Sequence, residues 1–135
     1  MRMRSLRWDV PFADRHPHKV LLPIFGRDRW GVYVEVEAID DRPGTWQVRF
    51  TDVLGIRCSN ESYFDWARWA GALEASHQAC AYIVENAEWR DDFWNGRNGQ
   101  VVKATHYVIS TADDHFECLA AGCDLFPSGF DPGKE

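Results

Sequence analysis

The residues best suited to binding a metal lie near the C-terminus. His115, Cys118 and Cys123 fall within nine residues, and His106 precedes them. Imidazole and thiolate are ligands that zinc favours in proteins. On a strand, however, side chains three residues apart point to opposite faces, so His115 and Cys118 cannot converge on one ion without distortion. We therefore predict no metal site and no cofactor.

Nucleophilic or acid–base chemistry has equally few candidates. A cysteine nucleophile needs a neighbouring base, and nothing in the sequence places His77 or His106 beside a thiol. Glu35 and Glu37 share one face of a strand and Glu117 lies on another strand, but carboxylates on one face of a sheet are usually solvated. Phosphate-binding glycine loops, Gly-x-Ser-x-Gly elbows and His-Glu-x-x-His helices are missing from the sequence. We predict no catalytic residue.

The segment 88–94 combines aromatic rings with carboxylates. Tryptophan is a common anchor of protein interfaces, and carboxylates complement a basic partner. We predict a partner-binding surface here. It consists of Trp89, Asp91, Asp92 and Trp94. In the alternative interpretation, Trp89 and Phe93 pack inward as an i, i+4 pair and the two aspartates are merely solvated.

A competing hypothesis places a small-molecule pocket between the sheet and its helices. Seven Trp, eight Phe and four Tyr supply many rings that could line such a pocket. His106, Glu117 and Glu61 would provide its polar groups. The protein would then be a small enzyme or a small-molecule binder.

Two hairpins are predicted to position these residues. Valines and alanine alternate with polar residues in 30–39, turn residues follow at 40–44, and alternation resumes in 46–50. Residues 101–111 and 115–121 form a second strand pair around a turn at 112–114. Residues 53–58, with a bulge at Gly55, and residues 79–84 add further strands.

Two helices complete the predicted fold. Ser59 or Asn60 would cap a helix whose apolar stripe runs from Tyr63 to Leu73, and a shorter helix would span 86–95. We therefore expect an α+β protein. Its mostly antiparallel sheet would have about five or six strands built from hairpins, with one or two helices packed on one face.

The 135 residues suit a single domain. Pro11, Pro17 and Pro23 interrupt a basic N-terminal stretch, which predicts an irregular arm over residues 1–29. The α+β domain is expected over 30–121. Residues 122–135 contain two prolines and three glycines, which predicts a loosely ordered tail.

The overall charge and the cysteines restrict partners and location. A net charge of −6 and a pI near 5.3 disfavour binding to phosphate backbones, so we expect no nucleic-acid partner. The four cysteines are not spaced as a disulfide scaffold, which predicts reduced thiols. The sequence has no signal-peptide-like run and no stretch approaching ~20 apolar residues, so we expect a cytoplasmic protein without a membrane partner.

Two stretches carry a resemblance to known proteins. One is residues 46–58 followed by Asn60-Glu61, and the other is 106–110 followed by 113–118. With the Trp-rich segment between them, they resemble a group of small uncharacterised bacterial α+β proteins, some of which look like immunity partners of polymorphic toxins. The resemblance covers about Trp30 to Ala121 and implies no particular site residue.

Three functional hypotheses follow. The first is a non-enzymatic bacterial protein that binds another protein, a basic one on charge grounds, in the manner of an immunity protein. The second is the small enzyme or small-molecule binder described above. The third is a homo-oligomeric structural module whose exposed rings form a dimer interface.

Overall fold

The computed structural model of the chain describes residues 4–60, 79–85, 104–111 and 113–134. These residues form one seven-stranded antiparallel sheet with the order β1-β5-β6-β7-β4-β3-β2. The strands are β1 (Arg4–Arg7), β2 (Val20–Asp28), β3 (Gly31–Ala38), β4 (Gly44–Asn60), β5 (Ala81–Glu85), β6 (Thr105–Ser110) and β7 (Asp114–Pro127). A 3-10 turn occupies Pro17–Lys19.

The predicted α+β class is wrong, because the described residues are almost entirely antiparallel sheet and contain no α-helix. Ser59 and Asn60, expected to cap a helix, continue β4 and pair with His115 and Asp114. Ladder pairing with β7 therefore prevails over the local capping preference of these short polar residues. The rest of that predicted helix, and the whole helix predicted over 86–95, lie outside the described residues. No helix long and apolar enough to cross a bilayer occurs in the described part of the chain.

Both predicted hairpins are confirmed. In the first, Val34 of β3 lies opposite Val48 of β4 and Val32 lies opposite Phe50. In the second, Ser110 of β6 lies opposite His115 of β7. The expected bulge near Gly55 is also present, as a register shift between Val53 and Gly55 that lets β4 run on for 17 residues.

The sheet is rolled around its apolar core. Phe25 of β2 and Phe116 of β7 have ring centroids 5.7 Å apart, although their strands are three places apart in the sheet. Three strand spacings in a flat sheet would separate them by roughly 14 Å. The face that bears the core is therefore concave, and we call it the inner face. Its buried side chains include Val34, Phe50 and Phe116.

Residues 8–19 close this roll and do not form a separate arm. They connect β1 to β2, the two edge strands of the sheet. Trp8 and Phe12 are buried, with ring centroids 4.9 Å from Tyr107 and 5.5 Å from Trp46. The prediction of an irregular arm over 1–29 fails because its prolines only exclude a helix, whereas an edge strand such as β2 tolerates Pro23.

The C-terminal residues are also more ordered than predicted. β7 continues to Pro127, and Phe126 stacks on Phe130 at 4.0 Å between ring centroids. The turn after β7 packs on the opposite, outer face of the sheet, where the Gly129 amide donates to Glu35 Oε1 at 2.9 Å. The glycines and prolines of this segment thus shape a turn held by a strand side chain.

Candidate functional site: a buried polar cluster on strands β4, β6 and β7

Strand register brings together the polar residues of the second hairpin. Tyr107, Ile109, Phe116 and Cys118 face the core, so the alternate residues of β6 and β7 face outward. Ser110 lies directly opposite His115, and Glu117 follows two positions later on the same face. On the other side of β7, Arg57 lies opposite Glu117. The resulting polar cluster consists of Arg57, His106, Ser110, His115 and Glu117.

Glu117 is the centre of this polar cluster. His106 Nε2 lies 2.7 Å from Glu117 Oε1, and Arg57 donates to the same oxygen at 2.8 Å. His115 Nε2 lies 3.5 Å from Glu117 Oε2. When that nitrogen carries the proton directed at the carboxylate, His115 Nδ1 accepts from the Ser110 hydroxyl, 2.7 Å away.

Electrostatics keep the Glu117 carboxyl ionised. Burial by itself would raise the pKa of this carboxyl. Hydrogen bonds from His106, His115 and Arg57 outweigh that effect and hold the pKa far below its ordinary value of 4.5. The buried negative charge is thus compensated within the polar cluster.

The order Ser110, His115, Glu117 matches the hydroxyl, imidazole and carboxylate of acyl-transfer enzymes. In those enzymes the hydroxyl must meet a substrate carbonyl. Here Ser110 and His115 are each only 1% exposed and Glu117 is 4% exposed, so a substrate cannot reach the hydroxyl in this structure. The arrangement instead cross-links three neighbouring strands through charge-assisted hydrogen bonds.

Two of the three predicted pocket residues meet in this cluster. His106 and Glu117 are in direct contact, but they lie in the interior and do not line an open pocket. Glu61, the third, is outside the described residues, as are Trp89, Asp91, Asp92 and Trp94 of the predicted partner surface. Sequence reasoning missed Arg57, Ser110 and His115 as members. For Ser110 and His115, the signal was their position close to the two ends of the predicted 112–114 turn.

The alternation of side chains between the two faces of β7 also explains why the candidate metal ligands His115 and Cys118 lie apart. Cys118 belongs to the inner core, whereas His115 is in the outward-facing polar cluster. Among the described residues, no group of three or more His, Cys, Asp or Glu side chains has the proximity that a metal ion requires.

Glu35 was expected to be solvated, and this is wrong. It is 5% exposed because the C-terminal turn covers it. Its Oε1 also accepts from Gln47 Nε2 at 3.2 Å, and Arg49 donates to Gln47 Oε1 at 2.6 Å. Arg49 in turn holds Asp28 with two hydrogen bonds of 2.8 and 3.2 Å. This chain of side chains fixes the C-terminal turn to the sheet. Glu37, on the same strand, keeps an intermediate exposure.

Large apolar side chains lie at the surface along β2 and the turn after it. Ile24 is 49% exposed, Phe25 is 51% exposed and Trp30 is 46% exposed. The Arg29 guanidinium lies over the Trp30 ring, 4.3 Å from its centroid. Burial of such side chains in a complex would remove considerable apolar area from water.

Comparison with models of known protein families, with curated proteins and with solved structures gives no match to this chain.

Proposed function

We propose that this chain is a bacterial protein that acts by binding another protein, in the manner of an immunity-type inhibitor of a toxin. The observation that carries the proposal is the grouping of three half-exposed apolar side chains, Ile24, Phe25 and Trp30, within seven residues of an edge strand and its turn. Isolated exposed apolar residues are common, but aromatic groups of this kind are typical of interface anchors.

The burial of the polar cluster supports the same proposal, because it argues against the alternative function. The side chains best suited to catalysis are at most 4% exposed and form hydrogen bonds or ion pairs with one another. They are His106, Ser110, His115 and Glu117. A small enzyme or small-molecule binder would instead direct such groups into a space open to its ligand. The alternative hypothesis therefore receives less support than protein binding.

We place this activity in the cytoplasm. The four cysteines are all free. Burial raises the pKa of the Cys80 and Cys118 thiols to about 12, so both stay protonated at neutral pH. Four free thiols, two of them buried and protonated, suit a reducing compartment.

Site-specific photo-cross-linking in the native host tests protein binding. A photo-reactive amino acid replaces Phe25 in the full chain, and a matched variant carries it at Asp41, an exposed residue of the β3–β4 turn. We expect one abundant protein adduct from position 25 and none from position 41. Equal adducts at both positions, or none at either, would contradict the proposal.

Co-expression tests the immunity version. The adduct protein is expressed alone and then with the wild-type chain or with its Phe25→Asp variant. A toxic partner whose growth defect is relieved by the wild-type chain, and less by the variant, supports inhibition. A partner that does not impair growth would leave protein binding in place and exclude the immunity role.

A further inference from the structure

We propose that the free edge of β2 binds an extended, acidic segment of the partner protein as an additional strand. This rests on the proposed function and adds the place of contact and the chemistry of the partner. Addition of a strand to an exposed sheet edge is a common mode of peptide recognition, in which main-chain hydrogen bonds supply affinity and side chains supply specificity.

The backbone of β2 provides the template. Among the strands that the structure describes, β2 is last in the sheet order, and it pairs with β3 on one side only. Pro23, which lacks an N–H group, lies in a register shift between Leu21 and Ile24. From Ile24 to Asp28 the pairing with β3 is regular, so the opposite edge of these five residues presents regularly spaced main-chain groups.

The side chains of β2 require an occupant that is apolar on both faces. Ile24 and Phe25 are consecutive, so they point to opposite faces of the sheet, and each is about half exposed. A strand laid along this edge places its own side chains beside both, at the distance of ordinary cross-strand pairs. A loop of the partner that packs on one face of the sheet would cover only Ile24 or only Phe25.

Charge indicates an acidic occupant. Lys19, Arg27 and Arg29 are exposed along β2 and its ends. The one carboxylate among them, that of Asp28, forms an ion pair with Arg49 at 2.8 Å. The hydrogen bond from Arg49 is the main reason that the pKa of Asp28 is lowered. The net charge of −6 favours a basic partner at long range, but salt screens such fields beyond about 8–10 Å. At contact distance the three exposed cations of this edge dominate, since none of them forms an ion pair with another described residue.

The same charges disfavour a second copy of the chain at this edge. Antiparallel pairing of two β2 strands about a twofold axis would bring the Lys19, Arg27 and Arg29 sets of both copies onto one short ribbon. Like charges on neighbouring strands are destabilising. The occupant is therefore a different segment, with two consecutive apolar residues between acidic ones.

The test uses two synthetic seven-residue peptides on the full chain. One has two consecutive valines flanked by glutamates, and the other has two consecutive valines flanked by lysines. Binding is measured by fluorescence anisotropy for the wild type, for Arg27→Glu and for the matched control Arg42→Glu, whose arginine is exposed in the β3–β4 turn. Thermal unfolding confirms that both variants are folded.

We expect the glutamate peptide to bind the wild type, and Arg27→Glu to weaken it about tenfold, equivalent to about 1.4 kcal/mol. Arg42→Glu should change the affinity by less than about twofold, since its charge lies at the other end of the hairpin. Amide hydrogen exchange should slow within residues 24–28 when the peptide is present.

Several results would overturn strand addition. Equal affinity for the lysine peptide, or equal weakening by Arg42→Glu, would show that charge at this edge does not select the occupant. Absence of peptide binding together with a retained cross-link from position 25 would leave the proposed function intact and exclude this mode. A dimer in light scattering that disappears in Phe25→Asp would identify a second copy as the occupant.

Discussion

His106 and Glu117 are buried partners: Nε2 of the imidazole lies 2.7 Å from Oε1 of the carboxylate, with 1% and 4% of the two residues exposed. A carboxylate at this depth is stable as an anion only while its donors remain in place. The Glu117 carboxylate of β7 therefore links three strands, because it bonds His106 of β6 and Arg57 of β4 donates to the same oxygen.

Glu117→Gln should strongly destabilise the fold. Through its single carbonyl oxygen the amide can still accept from His106 and Arg57, but without the charge that strengthens both hydrogen bonds, and its NH2 group replaces the acceptor that faces His115. Because the Arg57 side chain is 49% exposed, the loss arises mainly on the buried side of the cluster and should be about 1–3 kcal/mol. Urea denaturation measures the loss. Glu37→Gln, on a half-buried side chain, is the control and should change the free energy of unfolding by less than about 0.5 kcal/mol. Similar losses in the two variants would refute the role of Glu117.

Stability should fall in acid because of the same carboxyl. The folded protein holds the pKa of Glu117 far below 4.5, the value expected in the unfolded chain. Its stabilising contribution is therefore complete above about pH 4.5 and decreases as the pH falls toward the folded pKa. The free energy of unfolding, measured from pH 6 to pH 3, should converge between wild type and Glu117→Gln as the pH drops. Parallel curves over that range would contradict this assignment.

Gly26→Ala should destabilise β2. A methyl group at this position would lie 2.3 Å from the Tyr33 ring, which covers the glycine and stacks on Arg49 at 4.5 Å. Displacing this ring should cost about 1–3 kcal/mol in thermal or chemical unfolding. Gly122→Ala meets only the Thr51 hydroxyl at 3.3 Å and should cost clearly less. In a Tyr33→Ala background the additional cost of Gly26→Ala should vanish, and its persistence would exclude the ring contact as the cause.

Phe12→Ala should cost about 3–5 kcal/mol, as expected for loss of a fully buried phenylalanine. The change tests whether residues 8–19 belong to the core. Trp30→Ala, which removes a larger but 46% exposed ring, should cost less than about 1 kcal/mol by the same denaturation measurement. A Phe12→Ala variant as stable as the wild type would show that the segment is only loosely attached.

The hairpins could be predicted from the sequence because their signal is local. Val32, Val34 and Val36 alternate with polar residues, and all three valines are buried. The role of Phe12 could not be predicted, because its partners Trp8 and Trp46 meet it only after the sheet has rolled. Short-range patterns carry no information about that closure.

The polar cluster was predictable in part. Alternation on two facing strands suffices to bring His106 near Glu117, whereas their burial depends on tertiary packing. Glu35 shows the same limit. The alternation along β3 places it on the polar face, but the amide that covers it belongs to Gly129, 94 positions later in the chain. Periodicity assigns a face to a residue and does not reveal what that face contacts.

The pairing of β1 with β5 has a consequence for biosynthesis. Arg4 lies opposite Glu85, so β1 leaves the ribosome about eighty residues before its partner strand β5 has been made. Until then, Trp8 and Phe12 lack the surroundings that bury them in the native state. Contacts this distant in sequence slow folding and prolong the exposure of apolar side chains. The nascent chain should accordingly need chaperones that cover the segment with Trp8 and Phe12 until these partners have been made.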